Sequence, residues 1–369
     1  MTNFPHINLS NRGTVVAGKT MQAEPALDKP WQLIEGSRNI RCLACSHRCV
    51  IAPGRTGHCG VRKNEDGVLR LLVYGHSIAV NIDPVEKKPV YHFLPSTPIF
   101  SIGTIGCNFE CDFCQNWDIS QATRGVTGDI EESAMGRDLP PQTIVDQCVR
   151  RGIKSIAFTY NEPAIFHEYA VDTMKLARPF GIKGVFVTNG FETPEALRLL
   201  RPWIDVMRID LKAFTNEFYQ RHCKARLDPV LETIRTAKQL GYWVEVVTLL
   251  IPGENDSDDE VRRMAEFVVS VDSNIPHHFT AYHPDYHFTS AGRTPLRTIL
   301  HAIEIAKRAG EKFVYSGNVV DEAHGSTYCP QCNATLISRQ SMHETNIVDL
   351  DAATGSCRRC HTAIPGIWK

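Results

Sequence analysis

The sequence lacks several things that would have placed it quickly. It has almost no net charge: 40 Lys and Arg against 41 Asp and Glu leave −1 over 369 residues, so no global field draws it to nucleic acid or to an acidic membrane surface. No stretch approaches eighteen apolar residues, so no membrane-spanning helix is expected. Residues 1–30 show no basic start followed by an apolar run, so no signal peptide is expected, and the chain reads as cytoplasmic. There is no internal repeat and no low-complexity tract, and 43% hydrophobic against 22% charged residues is enough to fill a sizeable core, which excludes disorder over most of the length.

What the chain does have is thirteen cysteines. In a reducing compartment they are not expected to pair as disulfides. Eleven fall into three groups: Cys42, Cys45, Cys49 and Cys59; Cys107, Cys111 and Cys114; Cys329, Cys332, Cys357 and Cys360. Grouped thiols in such a setting indicate metal. Cys148 and Cys223 stand apart and read as ordinary thiols.

The order of elements divides the chain into a lead-in over 1–37, a Cys-rich module with a hairpin over 38–94, a large α/β unit over 95–317 and a Cys-rich tail over 318–369. The hairpin is expected within Gly67–Asp83, where Leu69, Leu71 and Val73 alternate. In the large unit, apolar runs of strand length at Ile99–Gly103, Ser155–Thr159, Gly184–Thr188, Val206–Asp210, Trp243–Leu250, His278–Tyr282 and Phe313–Tyr315 alternate with helical stretches. Thr193, Asp258 and Thr294 sit where helix caps belong, and Gly181, Gly241 and Gly310 where helices stop. Strand–helix alternation predicts a parallel sheet with right-handed crossovers. About 220 residues is short for the ~250 of a closed eight-unit barrel, so a partial (βα)6 barrel is expected, with a doubly wound open sheet as the rival. In both, ligands gather at the C-terminal ends of the strands.

The first of those ends carries Cys107-x3-Cys111-x2-Cys114. Three thiolates hold three irons of a [4Fe–4S] cluster and leave the fourth iron open, and an open metal position is where a reacting ligand binds. Cys329-x2-Cys332 and Cys357-x2-Cys360 form paired knuckles, a strong signal for a four-sulfur site. Zinc is the first reading there, with a rubredoxin-like iron as the alternative. Asn333 and His361 follow the knuckles and tolerate the left-handed turn that such knuckles use. Segment 318–369 has five acidic and four basic residues, too balanced for a nucleic-acid-binding ribbon. Cys42-x2-Cys45-x3-Cys49-x9-Cys59 suits zinc or a second, fully ligated [4Fe–4S] cluster equally well. His277, His278, His283 and His287 crowd one strand and its loop, but alternation sends His277 and His278 to opposite faces, against a shared metal.

The central motif, with the aromatic Phe113 before its last cysteine and its place after the first strand of a partial barrel, resembles the radical S-adenosylmethionine superfamily. The resemblance implies that S-adenosyl-L-methionine chelates the open iron, is reductively cleaved to a 5′-deoxyadenosyl radical, and that this radical abstracts hydrogen from a substrate. It implies roles for other strand ends. Glu162 stands at the position that meets the methionyl amino group, although Tyr160-Asn161 replaces the family's two glycines. Asn189 matches a ribose-binding position. Asp210-Leu211-Lys212 matches the Asp-x-Lys of glycyl-radical-activating enzymes, with Lys212 placed for the methionyl carboxylate, and His283 lies where that subgroup carries a His near the cosubstrate.

From about Arg38 to Trp368 the chain also resembles a narrower group, the radical SAM member of the AmmeMemoRadiSam system, related to pyruvate-formate-lyase-activating enzymes. The segments that carry this are Cys42-x2-Cys-Ser-His-Arg-Cys49, Ile82-Asp-Pro-Val-Glu-Lys-Lys88, Tyr91-His-Phe-Leu94, Cys107 to Gln121 and Pro365-Gly-Ile-Trp368. It implies a protein or peptide substrate, Memo-type and AMMECR-type proteins as company, and an electron donor such as flavodoxin or ferredoxin. Radical modification of RNA or of a small metabolite is the alternative enzymatic reading. An iron–sulfur scaffold or electron carrier is the non-catalytic one.

Overall fold

In a computed structural model, the structure describes residues 28–126 and 130–369; most of the expected lead-in over 1–37 lies outside them. The centre is an eight-stranded sheet. We label its strands β1 (Ala79–Pro84), β2 (Pro98–Gly103), β3 (Ser155–Phe158), β4 (Lys183–Thr188), β5 (Val206–Asp210), β6 (Trp243–Leu250), β7 (His277–Ala281) and β8 (Val314–Gly317). Strands β2 to β8 are parallel and neighbour one another in chain order, with Phe100 opposite Ile156 and Val185 opposite Val206. Every residue of β3 and β7 is buried, as expected for a parallel sheet covered on both faces. The crossover helices are α1 (Pro141–Arg151), α2 (His167–Ala177), α3 (Pro194–Leu200), α4 (Leu227–Gln239), α5 (Asp258–Asp272) and α6 (Leu296–Ala309). Thr193 caps α3 through Ala196 N at 3.1 Å. The sheet does not close, since β8 and β1 are its two edges, and the partial-barrel expectation holds over the doubly wound one because residues from β4 to β7 line a single cavity.

Two features correct the sequence reading. The hairpin falls earlier than expected, pairing Arg62–Glu65 with Val68–Leu71. Asp66 and Gly67 form its turn with φ of 51° and 95°, the left-handed pair that a two-residue hairpin needs. Ala79–Pro84 is instead strand β1, antiparallel to β2 along its whole length, so it covers the edge that a strict βα count leaves bare.

The N-terminal module lies on the outside of this sheet. Bidentate ion pairs Arg48–Glu195 at 2.8 Å and Arg62–Glu168 at 2.7 Å tie it to the starts of α3 and α2. The C-terminal module, strands Thr327–Tyr328, Thr335–Ser341 and Glu344–Ile347 with a short ladder at 350–357, closes the N-terminal end of the strands. Its Leu336, Ile337, Leu350 and Trp368 share one apolar cluster with Phe313 and Tyr315. Beneath them, buried Glu245 on β6 accepts from Tyr91 N (2.9 Å), His92 N (2.8 Å), Trp243 Nε1 (3.0 Å) and His278 Nε2 (2.8 Å). His92 reaches Pro365 O and Tyr315 Oη, each at 2.7 Å. That end of the barrel is filled, so the cavity opens at the other.

Candidate active site

The cavity at the C-terminal ends of the strands has a volume of about 420 Å³, within the range of small-molecule sites. Cys107, Cys111 and Cys114 line it from the loop after β2. Cys107 and Cys111 are buried and Cys114 half-buried. Phe109 N donates to Cys107 Sγ at 3.4 Å, and the Cys114 sulfur faces Asn116 N and the Ser120 hydroxyl. Burial raises Cys107 and Cys114, and the Cys223 thiol together with burial raises Cys111; amides aimed at sulfur offset part of this, and a bound metal would supply the rest. The loop is pinned from behind: Glu110 N and Asp112 N donate to Cys223 O and His222 O, each at 3.0 Å. His222 itself is fully enclosed between Asp112 (2.9 Å) and Glu254 (3.1 Å).

No three of these central sulfurs come within 4.8 Å of one another, whereas the four C-terminal ones all do. Cys329 and Cys360 are 3.5 Å apart and Cys332 and Cys357 3.7 Å. Four sulfurs around one ion at the usual zinc–sulfur length stand about 3.8 Å apart, so the C-terminal four fit one ion. Asn333 and His361 do take the left-handed turn, with φ of 57° and 60°. Thiolates on different irons of a cubane stand further apart than that, and the central three are not gathered around one point as the C-terminal four are.

The other strand ends supply polar groups. Glu162 is buried at the floor of the cavity. Its Oε1 accepts from Ala164 N and Thr188 Oγ1, both at 2.9 Å, and its Oε2 from Asn189 N at 2.7 Å. Thr188 Oγ1 also lies 2.6 Å from Glu192 Oε1 and receives Gly190 N at 3.0 Å. One hydroxyl carries one proton, so it cannot donate to both acids. Burial pushes Glu192 up to about 7, and burial together with Glu192 raises Glu162. The two acids share the second proton, since burial raises both. The sign follows: an acid raised in the fold stabilises fully below its unfolded value near 4.5 and loses that contribution as pH rises through about 7. Glu192→Gln is therefore expected to be more stable than wild type at pH 8.5, by up to about 3 kcal/mol, with the gap closing as pH falls to 5. Thermal unfolding across pH checks this, and a constant gap would refute it.

Asn189 donates its Nδ2 to Asn108 Oδ1 at 2.7 Å, but Asn189 Oδ1 and Asn108 Nδ2 are buried without a partner. An unpaired acceptor on the wall of a cavity is a place for a ligand hydroxyl. Lys212 Nζ pairs with Asp210 at 2.9 Å, and Arg208 holds the other carboxylate oxygen. Burial opposes charge on Asp210, yet Arg208 and Lys212 win and hold it below its ordinary value. Lys212 also feels Cys111 and stays firmly protonated, facing the thiolates as a fixed cation. Phe113 is buried beside Phe218. His283 stands at the rim, exposed, 3.0 Å from Gln115 through Nε2, and is not among the residues lining the cavity.

Tyr160, where the resembling family has glycine, has φ of +72°. The glycine-type backbone is kept with a side chain attached, an uncommon arrangement. The phenol is held by Asn81 Nδ2 (2.9 Å), Asp83 (3.2 Å) and Lys88 (3.4 Å). Lys87, Lys88, Tyr160 and Asn161 therefore build a wall of the cavity. His277 and His278 turn opposite ways, to Glu311 (2.9 Å) and Glu245 (2.8 Å), and share no site.

These features agree with the known proteins this chain is similar to. A description of the "Radical SAM superfamily" matches residues 101–268. An uncharacterized protein of Methanocaldococcus jannaschii, MJ0808, is 40% identical over 87% of this chain and 93% of its own length. The chain belongs to the radical SAM superfamily. Two further relatives are a putative glycyl-radical enzyme activating enzyme of M. jannaschii, 26% identical over 55% of this chain and 74% of its own, and the 4-hydroxyphenylacetate decarboxylase activating enzyme of Clostridium scatologenes, 26% identical over 62% of this chain and 60% of its own. This radical SAM protein thus has the superfamily's fold, and the superfamily implies a [4Fe–4S] cluster and S-adenosylmethionine. The residues fit that pair: three thiols, a fixed cation beside them and an orphaned acceptor on the same wall.

Sequence reasoning missed Cys223. It lies in a single π-helical turn, Tyr219–Cys223, fully buried, with its thiol close enough to Cys111 to raise that thiol. Hydrogen bonds to ligand sulfur raise cluster potential, so Cys223→Ala is expected to lower the midpoint potential of the central cluster. An EPR-monitored redox titration measures this, and an unmoved midpoint would count against the contact.

Proposed function

We propose that this protein cleaves S-adenosyl-L-methionine reductively and passes the radical to a protein or peptide substrate. The observation that carries this is the trio Cys107, Cys111 and Cys114, which lines the same cavity as Glu162, Asn189 and Lys212. When bound, the cluster supplies one electron to the sulfonium of S-adenosylmethionine, releasing a 5′-deoxyadenosyl radical. The residues do the rest. Cys107, Cys111 and Cys114 hold three corners. Lys212, fixed by Asp210, offers a point charge to the methionyl carboxylate. Glu162 keeps lone-pair capacity for the methionyl amino group beyond its three donors. Asn189 Oδ1 accepts a ribose hydroxyl. The filled far end of the barrel keeps water from entering behind the reacting atoms.

The protein or peptide class rests on the names of the activating relatives. Memo-type and AMMECR-type proteins are the company we propose, flavodoxin or ferredoxin the electron donor, zinc the ion of the C-terminal four-cysteine site, and the cytoplasm the location. No helix among the described residues is long and apolar enough to cross a membrane. The test is anaerobic incubation with dithionite, S-adenosylmethionine and candidate proteins carrying deuterated glycine. Deuterium in 5′-deoxyadenosine identifies the substrate. Transfer only from an RNA or a small metabolite would overturn the protein class, and no 5′-deoxyadenosine at all would overturn the reaction.

A further inference from the structure

The N-terminal four-cysteine group was open between one zinc ion and a cluster. Cys42, Cys45 and Cys59 are buried and Cys49 half-buried. The fold draws them together: Cys42 N donates to Cys49 O at 2.9 Å, and His58, the residue before Cys59, turns its amide to the Cys49 sulfur. Yet no three of their sulfurs come within 4.8 Å, unlike the C-terminal four. They are therefore not gathered around a single ion as the C-terminal four are. Their surroundings match those of the central trio. His58 N donates to Cys49 Sγ at 3.5 Å, His47 N reaches Cys45 and Val61 N reaches Cys59. The guanidinium of Arg62, 2% exposed, is held by Glu168 at 2.7 Å and lies near enough to Cys42 and Cys59 to feel both.

The position of the group says what it does. Cys59 O accepts from Thr123 Oγ1 at 3.0 Å and lies against Gly106, the residue before Cys107, so closely that a Cβ on Gly106 would stand 2.8 Å from it. Arg124 bridges the two loops, donating to His58 O and, at 2.7 Å, to Cys107 O. His47 Nε2 lies 2.7 Å from Asn108 O. The backbones that carry the two thiolate sets are in contact. Residues 52–56 of the N-terminal loop are exposed, whereas Cys107 and Cys111 are buried below the cavity that the cosubstrate fills.

We propose that Cys42, Cys45, Cys49 and Cys59 hold a second [4Fe–4S] cluster that delivers electrons to the one on Cys107, Cys111 and Cys114. A one-electron donor of the ferredoxin or flavodoxin class reduces the outer cluster from the 2+ to the 1+ state. That electron moves inward, returning the outer cluster to 2+ and leaving the inner one at 1+, ready to reduce the sulfonium. The relay rests on the reaction proposed above; the presence of the cluster does not.

Two experiments on the full chain test it. The first is iron analysis and EPR of the Cys107→Ala, Cys111→Ala, Cys114→Ala variant after anaerobic reconstitution. About four iron atoms per chain are expected, with a reduced-cluster EPR signal that S-adenosylmethionine leaves unmoved, against about eight in wild type. Zinc instead of iron, or no metal, overturns the second cluster whether or not the wild type is active. The second compares donors in Cys49→Ser, whose thiol is the least buried of the four. The ratio of flavodoxin-driven to dithionite-driven 5′-deoxyadenosine formation is expected to fall about tenfold or more, and an unchanged ratio overturns the relay. If the wild type cleaves no S-adenosylmethionine while the triple variant holds its iron, the proposed reaction falls and this cluster stands.

Discussion

Replacing any one of Cys107, Cys111 and Cys114 by alanine is expected to reduce 5′-deoxyadenosine formation to that of an enzyme-free control. Each thiolate holds a different corner of the cubane, so no neighbour can substitute for it. A useful contrast is His283→Ala. His283 touches Gln115 and its own loop at the rim, so its loss should leave most of the cleavage and change at most the apparent KM for the cosubstrate. Anaerobic turnover followed by chromatography of nucleosides measures both. Persistent 5′-deoxyadenosine in the triple alanine variant would sink the radical mechanism, and abolition by His283→Ala would show that the site closes over a residue the cavity here leaves out.

The second large effect is expected at the other end of the barrel. Removing the ion from Cys329, Cys332, Cys357 and Cys360, by chelation or by Cys357→Ser, should destabilise the whole protein and not the tail alone. The apparent binding free energy of a structural zinc site is about 10–16 kcal/mol and is folding free energy. Cys357 and Cys329 belong to the apolar cluster that holds Phe313, Tyr315 and Trp368. The same module presents Arg339, 3% exposed, whose guanidinium reaches Tyr91 O at 2.8 Å and stacks 4.1 Å over the Tyr91 ring. Without the module, His92 loses Pro365 O and Tyr91 O loses Arg339 while both are still partly enclosed, and uncompensated buried polar groups are costly. A fall in Tm together with early proteolysis within 318–369 is expected. Full metal loss with an unchanged Tm would show that the knuckles are dispensable.

How much of this was legible beforehand depended on distance along the chain. The parallel strands were visible because each is a short apolar run bounded by a cap or a glycine, as at Thr193 and Gly181. The three thiol groups were visible because their ligands are neighbours in sequence. Strand β1 was not: Ala79–Pro84 alternates weakly, and only pairing with β2 makes it a strand. The contact of Cys223 with Cys111, and that of Cys59 with Gly106, join segments whose sequences carry no mark of each other. Tyr160 could be read as a departure from glycine but not as one that keeps glycine's φ, because what allows it is the hold of Asn81, Asp83 and Lys88 on its hydroxyl. The choice between one ion and a cluster at the N-terminal cysteines depends on how the sulfurs are placed in space, which spacing in sequence does not determine.

The closed end of the barrel has a consequence for the order of assembly. His92 Nδ1 finds its acceptor in Pro365, 273 positions later, and Leu94 N and His92 O pair with the backbone of Ile367. Contacts of such separation carry a large loop-closure entropy and form late. During vectorial synthesis the first strands must wait for nearly all of the chain to emerge before this wall is complete. Until then the interior is open from below as well as above. The interval before the final segment docks is therefore one in which a nascent barrel still has two entrances, and docking of Pro365–Trp368 leaves it with one.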